Sequence, residues 1–182
     1  MRVAAVAVIS VLAACGGAAD TSKAPAVSAS DGAAPAVGAP APAFVVAALG
    51  ADSVRIGGTA PQPVTLVNIW ATWCGPCKAE FPELQALHTA YADRGLRVLA
   101  ISIDSDGDAD VAASAKAMGA TFLIGRDPAD EVRGRFGAVG IPETWLVSKD
   151  GRILWRHSGA IPAGDTGVRA AIESVVARSK GV

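Results

Sequence analysis

The sequence predicts an α/β domain in which helices cover the faces of a β-sheet. Segments with strand signals alternate with segments of helical periodicity, which is typical of this architecture. Residues 64–70 (VTLVNIW) form a continuous apolar run, as expected of a strand buried on both faces. Residues 78–93 predict a helix, because four of their side chains fall on one helical stripe: Phe81, Leu84, Leu87 and Tyr91.

The rest of the domain continues the same alternation. Gly95 ends the first predicted helix and leads into a second buried strand over residues 96–103. Asp150-Gly151 is a strong hairpin signal between two later strands. The remaining predicted elements are helices at residues 108–118, 129–136 and 168–179, and strands at residues 121–124, 144–147 and 152–157.

Size and charge exclude several classes of protein. The chain has 182 residues, which suits one domain with an extension, and three cysteines, which are too few for a scaffold of several disulfides. Its 16 Lys and Arg residues against 17 Asp and Glu residues give no basic excess, so nucleic-acid binding is not expected. No second long apolar run follows the N-terminus, which excludes a multi-span membrane protein.

Residues 1–14 predict an export signal. They carry one positive charge, Arg2, and an apolar run over residues 3–12 that is too short to span a bilayer. The run ends in Leu-Ala-Ala-Cys, which resembles a bacterial lipoprotein signal in which Cys15 becomes acylated and forms the mature N-terminus. The alternatives are an ordinary signal peptide with a chance cysteine and a wrongly assigned start codon.

Residues 15–42 predict a flexible tether that follows this anchor. They are mostly Ala, Pro, Gly and Ser, and they contain no side chain large enough to anchor a core. We therefore expect residues 43–182 to form the folded domain. A lipid anchor and a tether would hold that domain in an extracytoplasmic, periplasm-facing space.

The motif Cys74-Gly75-Pro76-Cys77 follows the first buried strand and opens the next helix. Free amides and the positive end of a helix dipole lie beside Cys74 in such a placement, and they stabilise its thiolate. Cysteine pairs of this kind have a thiol pKa lowered from about 8.5 to between about 3.5 and 7.5. Cys77 is expected to be more buried and to resolve a mixed disulfide formed on Cys74.

Other uses of the cysteine pair and of the nearby acids are weaker. A zinc site needs two further ligands, and His88 and His157 do not have ligand spacing. A permanent disulfide across two intervening residues closes too small a loop to add much stability. The acidic cluster at residues 104–110 is expected to be a solvated loop, since it lacks the closing glutamate of an EF-hand. No metal and no cofactor are therefore expected.

Residues 67–82 (VNIWATWCGPCKAEFP) resemble the active-site segment of the thioredoxin superfamily, and within it the exported TlpA-like, ResA-like and DsbE-like branch. Pro82 matches the helix-kinking proline of that superfamily. The resemblance covers about residues 42–177 and implies a thioredoxin-like fold, with a central mixed β-sheet flanked by helices. Cys77 and Pro142 are 65 residues apart, and this long spacing fits the helix–strand unit that TlpA-like proteins carry as an insertion.

Residues 140–144 (GIPET) resemble the cis-proline loop that faces the cysteine pair in this superfamily. The resemblance implies that the backbone of Ile141 pairs with a bound substrate strand and that Pro142 packs against the disulfide. The substrate-binding surface that we expect consists of Trp73, Gly75, Pro76, Ile141 and Pro142. The alternative is an ordinary proline at the start of a strand.

Glu80 follows Cys77 by three residues and so lies on the same face of the predicted helix. The family has an acid at this position near the thiols, which implies that Glu80 assists proton transfer and completes a catalytic set with Cys74 and Cys77. An exposed glutamate favoured by the helix dipole is the alternative. Asn68 stands in the strand where cytosolic thioredoxins have a buried acid, and Glu80 is the candidate for replacing that acid.

The resemblance implies a thiol–disulfide oxidoreductase that reduces protein disulfides through the dithiol of Cys74 and Cys77. Its implied partners are protein disulfide substrates, apocytochrome c among them, a membrane protein that relays reducing electrons, and the membrane itself through the lipid anchor. An oxidant or isomerase of the same fold is the alternative within this class. A copper carrier of the same fold is the alternative outside it, although such carriers use wider cysteine spacing with a His, or arms rich in Met and His.

Overall fold

The computed structural model describes residues 34–105 and 107–179. The described residues form seven strands: β1 (Phe44–Ala48), β2 (Ala51–Ile56), β3 (Val64–Trp70), β4 (Leu96–Ser102), β5 (Leu123–Arg126), β6 (Glu143–Val147) and β7 (Ile153–Ser158). They also form four α-helices: α1 (Gly75–Tyr91), α2 (Asp108–Ala117), α3 (Glu131–Phe136) and α4 (Thr166–Ser179). All seven strands join one sheet in the order β2-β1-β5-β4-β3-β6-β7.

The sheet is parallel at its centre and antiparallel towards both edges. β3, β4 and β5 run parallel to one another. β6 pairs antiparallel with β3, and β7 pairs antiparallel with β6. On the other side, β1 pairs antiparallel with both β5 and β2. This mixed sheet with flanking helices confirms the predicted fold class.

β3 lies at the centre of the core. All seven of its residues are buried, as the continuous apolar run predicted. Trp70, at the end of β3, packs edge-on against Phe81 of α1, with the ring centroids 4.6 Å apart. Phe136 of α3 packs on Trp145 of β6 with a centroid distance of 4.9 Å. Thr144 pairs with Asn68, so it lies on the same face of the sheet as Trp70. Trp145, the next residue of β6, therefore points to the opposite face.

The helices α1 and α4 lie together on the Trp70 face of the sheet. The Tyr91 hydroxyl of α1 donates to Oε1 of Glu173 in α4 at 2.9 Å. Arg169 of α4 pairs with the buried Glu83 of α1 at 2.5 Å. These polar contacts fix the position of α1, and therefore of the cysteines at its start.

The segment between β4 and α3 contains α2 and β5, where the long spacing from Cys77 to Pro142 predicted an inserted helix and strand. β5 begins two residues later than the predicted strand at residues 121–124. Its last residues pair with β4 although Gly-Arg-Asp resembles a loop in sequence. Gly125 fits there because it has no side chain: a Cβ atom would lie 3.1 Å from Val46 of β1.

β1 and β2 were not predicted from the sequence. β1 (FVVAA) is apolar but only five residues long, and β2 (ADSVRI) contains no continuous apolar run. β1 is a strand because it lies between β2 and β5 and hydrogen-bonds to both. Gly50 supplies the left-handed backbone, with φ of 69°, that the turn between β1 and β2 uses.

Residues 38–41 belong to the folded domain, although the sequence analysis placed them in the tether. The Gly38 amide donates to the Ile153 carbonyl at 2.7 Å, and the Ile153 amide donates to the Ala39 carbonyl at 2.9 Å. This segment, upstream of the expected domain start at residue 43, therefore pairs with the turn before β7 and with the first residue of β7.

The predicted export signal, Cys15 and most of the tether lie outside the described residues, which begin at residue 34. Within the described part of the chain, no helix is both long and apolar enough to cross a bilayer.

Candidate active site

The two cysteines of the motif form a disulfide bond at the start of α1. Cys74 is the N-cap residue of the helix, and its sulfur accepts a hydrogen bond from the Cys77 amide at 3.2 Å. Cys74 is 6% exposed, whereas Cys77 is fully buried. The structure therefore places Cys74 at the more accessible position, where an amide donor and the helix dipole favour a thiolate.

A buried carboxylate that the sequence analysis missed holds the turn before Cys74. The Thr72 amide donates to both carboxylate oxygens of Asp104 at 3.0 Å, and the Thr72 hydroxyl donates to Oδ1 at 2.6 Å. The Ser102 hydroxyl donates to Oδ2 at 2.7 Å. Asp104 is 1% exposed, so the expectation of a solvated loop is wrong at this position.

A cation extends this cluster to the next strand. Nη1 of Arg126, at the end of β5, donates to the Ser102 hydroxyl at 2.7 Å and to the Asp104 carbonyl at 3.1 Å. Nε of Arg126 pairs with Asp108 at 2.9 Å. The ends of β4 and β5 therefore brace the turn that leads into Cys74. The sequence signal that could have indicated this cluster is the polar Ser102 and the acidic Asp104 at the carboxyl end of a buried strand, since the carboxyl ends of parallel neighbouring strands lie at the same edge of a sheet.

The cis-proline loop lies against the disulfide. The peptide bond between Ile141 and Pro142 is cis, as the family resemblance implies. Cys74 Sγ is 3.9 Å from the Ile141 carbonyl oxygen. Pro142 is buried and Ile141 is partly exposed, so the backbone that precedes the proline is beside the more accessible sulfur.

The surface next to Cys74 is apolar. Trp73 is 68% exposed, and Gly75 and Pro76 are also exposed. Val139, two residues before Ile141, is 91% exposed and was not predicted from the sequence. Large apolar side chains at such exposure are available to contact another protein.

Glu80 lies about one helical turn after Cys77 on α1 and is 1% exposed, so the alternative of an exposed glutamate is wrong. Burial raises the pKa of its carboxyl to about 7, against hydrogen bonds that lower it. The Ile161 amide donates one of these bonds to Oε2 at 2.9 Å. Nδ2 of Asn68 donates the other to Oε1 at 2.8 Å. Asn68 therefore contacts the acid that was expected to replace the one missing from β3.

Polar side chains continue from Asn68 across the same face of the sheet. Nδ2 of Asn68 also donates to the Thr144 hydroxyl of β6 at 2.9 Å. Thr144 is opposite His157 of β7, and Nε2 of His157 lies 3.3 Å from the Ala160 carbonyl oxygen. No local sequence pattern indicates this row, because it joins residues of three strands that are distant in sequence.

Another buried acid, Glu143, lies on the opposite face of the sheet, directly after the cis-proline. Glu143 is 1% exposed, and its Oε1 accepts hydrogen bonds from Arg156 Nε at 2.6 Å and from the Ser158 hydroxyl at 3.1 Å. Arg156 and Ser158 both belong to β7. This ion pair ties the start of β6 to the edge strand.

The histidines considered as zinc ligands lie apart from the cysteine pair. His88 is half-buried on α1, with its ring edge-on to Phe122 at 6.2 Å. Among residues 34–105 and 107–179, no group of three or more His, Cys, Asp or Glu side chains is arranged to hold a metal ion.

Comparison with known sequences gives a consistent family. A family model described as Redoxin matches residues 36–172. The chain is 31% identical over 140 residues to the thiol-disulfide oxidoreductase ResA of Geobacillus thermodenitrificans, which covers 77% of this chain and 78% of that relative. It is 32% identical over 130 residues to ResA of Geobacillus kaustophilus, with coverage of 71% and 74%.

Solved structures with the same fold belong to the same kind of protein. A crystal structure assigned to a thiol:disulfide interchange protein DsbE of Chlorobium tepidum superposes with a TM-score of 0.69 at 26% identity, covering 78% of this chain and 98% of that chain. A solution structure assigned to a thioredoxin of Neisseria meningitidis gives 0.63 at 28% identity, covering 76% and 89%. With its cysteine pair at the start of α1, this chain belongs to the Redoxin family and is a thiol–disulfide oxidoreductase of the ResA-like and DsbE-like branch of the thioredoxin superfamily.

Proposed function

We propose that this oxidoreductase reduces disulfides of exported proteins, with Cys74 as the attacking thiol, Cys77 as the resolving thiol and Glu80 as the proton acceptor. The observation that carries the proposal is the asymmetry of the cysteine pair. Cys74 lies at the N-terminus of α1 beside the exposed Trp73, whereas Cys77 is fully buried on the helix face that also carries Glu80.

The first step joins Cys74 to the substrate. The Cys74 thiolate attacks one sulfur of the substrate disulfide, so a bond from Cys74 to that sulfur forms and the substrate S–S bond breaks. The second substrate sulfur leaves as a thiolate and takes a proton from water. The Cys77 amide, 3.2 Å from Cys74 Sγ, favours the attacking thiolate.

The second step releases the substrate. The Cys77 thiol gives its proton to Glu80, and the resulting thiolate attacks Cys74 Sγ. The Cys74–Cys77 disulfide forms while the bond to the substrate breaks, so the substrate leaves with two electrons gained and the enzyme leaves oxidised. A carboxyl group with a pKa of about 7 is partly ionised near neutral pH and suits this proton transfer.

The third step restores the dithiol. A dithiol carried by a membrane protein that relays electrons from the cytoplasm reduces the Cys74–Cys77 disulfide by the same exchange, with two electrons passing to this chain. The exposed Trp73 and the cis-proline loop are available to this partner and to the substrate in turn.

The proposed substrate is an extended segment that contains a disulfide, and apocytochrome c is our candidate. Haem attachment requires a reduced Cys-X-X-Cys-His segment, and the resemblance of residues 140–144 to the DsbE-like branch supports this choice. The Ile141 backbone beside Cys74 and the exposed apolar Val139 suit an extended, apolar stretch of chain.

The proposed location is extracytoplasmic, with the chain held to a membrane through a lipid on Cys15. The support is the sequence of residues 1–15, which ends in the Leu-Ala-Ala-Cys pattern. The test is metabolic labelling with a fatty acid in a bacterial host, followed by fractionation. Wild-type chain labelled in the membrane fraction, and unlabelled Cys15→Ser, would support the anchor. Equal labelling of the two chains would contradict it.

The reduction potential of the Cys74–Cys77 pair decides the direction of electron flow. It is measured by equilibration in glutathione or dithiothreitol buffers with tryptophan fluorescence as the signal. A value at or below about −220 mV, as in glutaredoxins and thioredoxin, is the expected result for a reductant. A value near about −120 mV, as in strong periplasmic oxidants, would overturn the proposal and assign the chain to disulfide formation.

A trapping experiment tests the order of the two thiols and the substrate class. Reduced Cys77→Ser is mixed with an oxidised peptide that contains Cys-X-X-Cys-His, and the products are separated by mass. We expect Cys77→Ser to accumulate a mixed disulfide through Cys74, and Cys74→Ser to accumulate none. A peptide of the same composition with the two cysteines far apart serves as the substrate control. Trapping on Cys77 rather than Cys74 would reverse the assigned roles.

A further inference from the structure

A buried amide joins the Glu80 carboxyl to the strand that follows the cis-proline loop. Nδ2 of Asn68 donates one hydrogen bond to Glu80 Oε1 at 2.8 Å and another to the Thr144 hydroxyl at 2.9 Å. An amide nitrogen has two N–H donors, so both are used. Oδ1 of Asn68 is also buried, but it has no hydrogen-bond partner among the described residues. The nitrogen of the Asn68 amide therefore uses both of its donors, whereas its oxygen has no hydrogen-bond partner among the described residues.

The two oxygens of Glu80 meet donors of different kinds. Oε2 accepts from the Ile161 backbone amide at 2.9 Å, and the path of the chain fixes the direction of that donor. Oε1 accepts from the side-chain amide of Asn68. The terminal torsion of an asparagine is broad, so this donor can turn. With a donor on each oxygen, the arrangement suits Glu80 as a carboxylate.

A proton on Glu80 does not fit this arrangement. If Oε1 carried the proton, an O–H group would face an N–H group of Asn68. A half-turn of the amide puts Oδ1 in place of Nδ2, and Oδ1 can accept the proton of Glu80. The Thr144 hydroxyl, which accepts from Nδ2, can rotate and donate to the same oxygen. After the half-turn, Nδ2 occupies the position now held by Oδ1 and has no partner there. Each of the two orientations of the amide therefore leaves one buried polar group unpaired.

We propose that Asn68 is a positioning residue for the proton acceptor of the reaction: its amide holds Glu80 as a carboxylate and makes a half-turn when Glu80 takes up a proton, while Thr144 reverses its hydrogen bond. The inference rests on the role proposed above for Glu80. In turnover, the proton that leaves Cys77 would reach Glu80 as the amide turns. Each protonation state of Glu80 then has a matching set of hydrogen bonds.

The charged and titratable groups on the helices near Glu80 are accounted for. Cys77 and Glu83 precede and follow it on α1, and Cys77 does not titrate while it is in the disulfide. Glu83 is paired with Arg169 of α4 at 2.5 Å. The oxidised protein is therefore the form in which the protonation of Glu80 can be observed without that of Cys77.

Among the strands, β7 presents one titratable side chain, His157, to the row formed by Asn68 and Thr144. β3 and β6 present Asn68 and Thr144 themselves, which do not titrate in this range, and β7 presents His157 opposite Thr144. Histidine titrates in the same pH range as the transition expected for Glu80. A His157→Gln variant is therefore needed to assign the transition.

The test is an NMR titration of the oxidised full-length chain, with ¹³C-labelled glutamate carboxyls and ¹⁵N-labelled asparagine amides. We expect the Glu80 carboxyl carbon and the Asn68 side-chain NH₂ signals to shift with one common midpoint, and that midpoint to persist in His157→Gln. In Asn68→Leu, which has a similar size but no donor, we expect the Glu80 midpoint to move up by about one pH unit, because a hydrogen bond to the charged form is lost.

Thr65→Val is the matched control. Thr65 is a buried residue of β3, three positions before Asn68, so its side chain lies on the opposite face of the sheet. Its hydroxyl donates to the Pro63 carbonyl at 2.9 Å. We expect this variant to leave the Glu80 midpoint unchanged. If Asn68→Leu does not fold, the wild-type titration decides alone.

Two results would overturn the inference. One is an Asn68 NH₂ signal that stays constant while Glu80 titrates, and the other is an unchanged Glu80 midpoint in Asn68→Leu. Either result leaves the proposed reduction of substrate disulfides standing, because the titration uses the oxidised protein and measures no turnover. Failure of the wild-type dithiol to reduce any protein disulfide would instead refute the proposed function, and the titration would still report on Asn68.

Discussion

Glu80 carries a pH dependence because the fold buries it. Its pKa is raised from 4.5 to about 7, chiefly by burial and against two hydrogen bonds. Between these values the folded chain holds a proton that the unfolded chain has released. The free energy of unfolding therefore falls as pH rises through this interval, since ionising Glu80 costs more in the folded chain than in the unfolded chain, where water solvates the carboxylate.

A denaturation experiment tests this pH dependence at Glu80. From the shift of the pKa, oxidised wild-type protein should lose about 3 kcal/mol of unfolding free energy between pH 4.5 and pH 8 that Glu80→Gln does not lose. Urea denaturation at the two pH values measures the difference. Glu131→Gln is the control, because Glu131 is 55% exposed, and it should behave as wild type. Equal losses in wild type and Glu80→Gln would show that Glu80 has an ordinary pKa.

The same residue has a kinetic consequence. If Glu80 accepts the Cys77 proton, Glu80→Gln should resolve the mixed disulfide about 100-fold more slowly at pH 7, which is the lower end of general-base effects. The rate in wild type should rise as pH passes about 7. Stopped-flow measurement of substrate release checks both statements. A rate and pH profile unchanged in Glu80→Gln would mean that another group takes the proton.

At the scale of elements, the start of α1 depends on contacts from two other strands. Thr72 is bound by Asp104 after β4, and Arg126 of β5 joins the same cluster. Asp104 is buried, so its loss leaves buried donors without a partner, which costs more than the loss of an exposed pair. The turn that positions Trp73 and Cys74 is therefore fixed from outside its own sequence.

Two substitutions in this cluster should differ sharply. Asp104→Asn should lower the free energy of unfolding by about 2 kcal/mol, because it faces the donors of Thr72 and Ser102 with a donor of its own. Asp108→Asn should cost less than about 1 kcal/mol, because the Asp108 side chain is 73% exposed. Chemical denaturation of both variants gives the comparison. Similar losses for the two would mean that Asp104 does not hold the turn.

The elements divide by the kind of signal that predicts them. β3 and α1 have local patterns, a continuous apolar run and a helical stripe, and the structure confirms both. β2 has no such pattern, and β1 is an apolar segment of only five residues. Pairing of β1 with both β2 and β5 makes these segments strands. β5 is displaced from its predicted position for the same reason. Local patterns predict the long apolar strand and the helix with an apolar stripe, whereas short strands depend on the neighbours with which they pair.

At the scale of the whole molecule, the N-terminal segment and the disulfide lie at opposite ends of the strands. The disulfide follows β3 at its Trp70 end. β6 runs antiparallel to β3, so the turn at Gly151 lies at the Val64 end. Residues 38–41 hydrogen-bond to Gly151 and Ile153 at that end. In the anchored protein that we propose, the tether would leave the domain at the end away from Cys74.

At the same end of the strands, Gly151 packs closely against the backbone of Gly58. Its φ is 75°, and a Cβ atom there would lie 2.2 Å from the Gly58 carbonyl oxygen. Gly151→Ala should lower the free energy of unfolding by more than about 3 kcal/mol, because the backbone must shift. Gly119→Ala is the control: its φ is 80° but no atom lies within 4 Å, so only the cost of the left-handed backbone, about 1–2 kcal/mol, applies. Equal losses of unfolding free energy in the two variants would show that the backbone at residues 57–58 moves aside at little cost.

The sequence alone determined the chemistry and the outline of the fold. A cysteine pair between a buried strand and a helix specifies a reactive thiol, and the resemblance of residues 67–82 and 140–144 places the cis-proline loop opposite it. Apolar runs, a helical stripe and a hairpin signal specify the central elements. These features are local, so the order of residues is sufficient to read them.

Tertiary structure decided how the site works as a unit. Asn68 meets Glu80 across 12 residues and Thr144 across 76, and Thr72 meets Asp104 across 32. The pKa of Glu80 comes from its burial between Asn68 of β3 and the backbone at Ile161 rather than from its position in the motif. Hydrogen bonds and burial depend on which distant residues become neighbours, and that information exists only once the chain has folded.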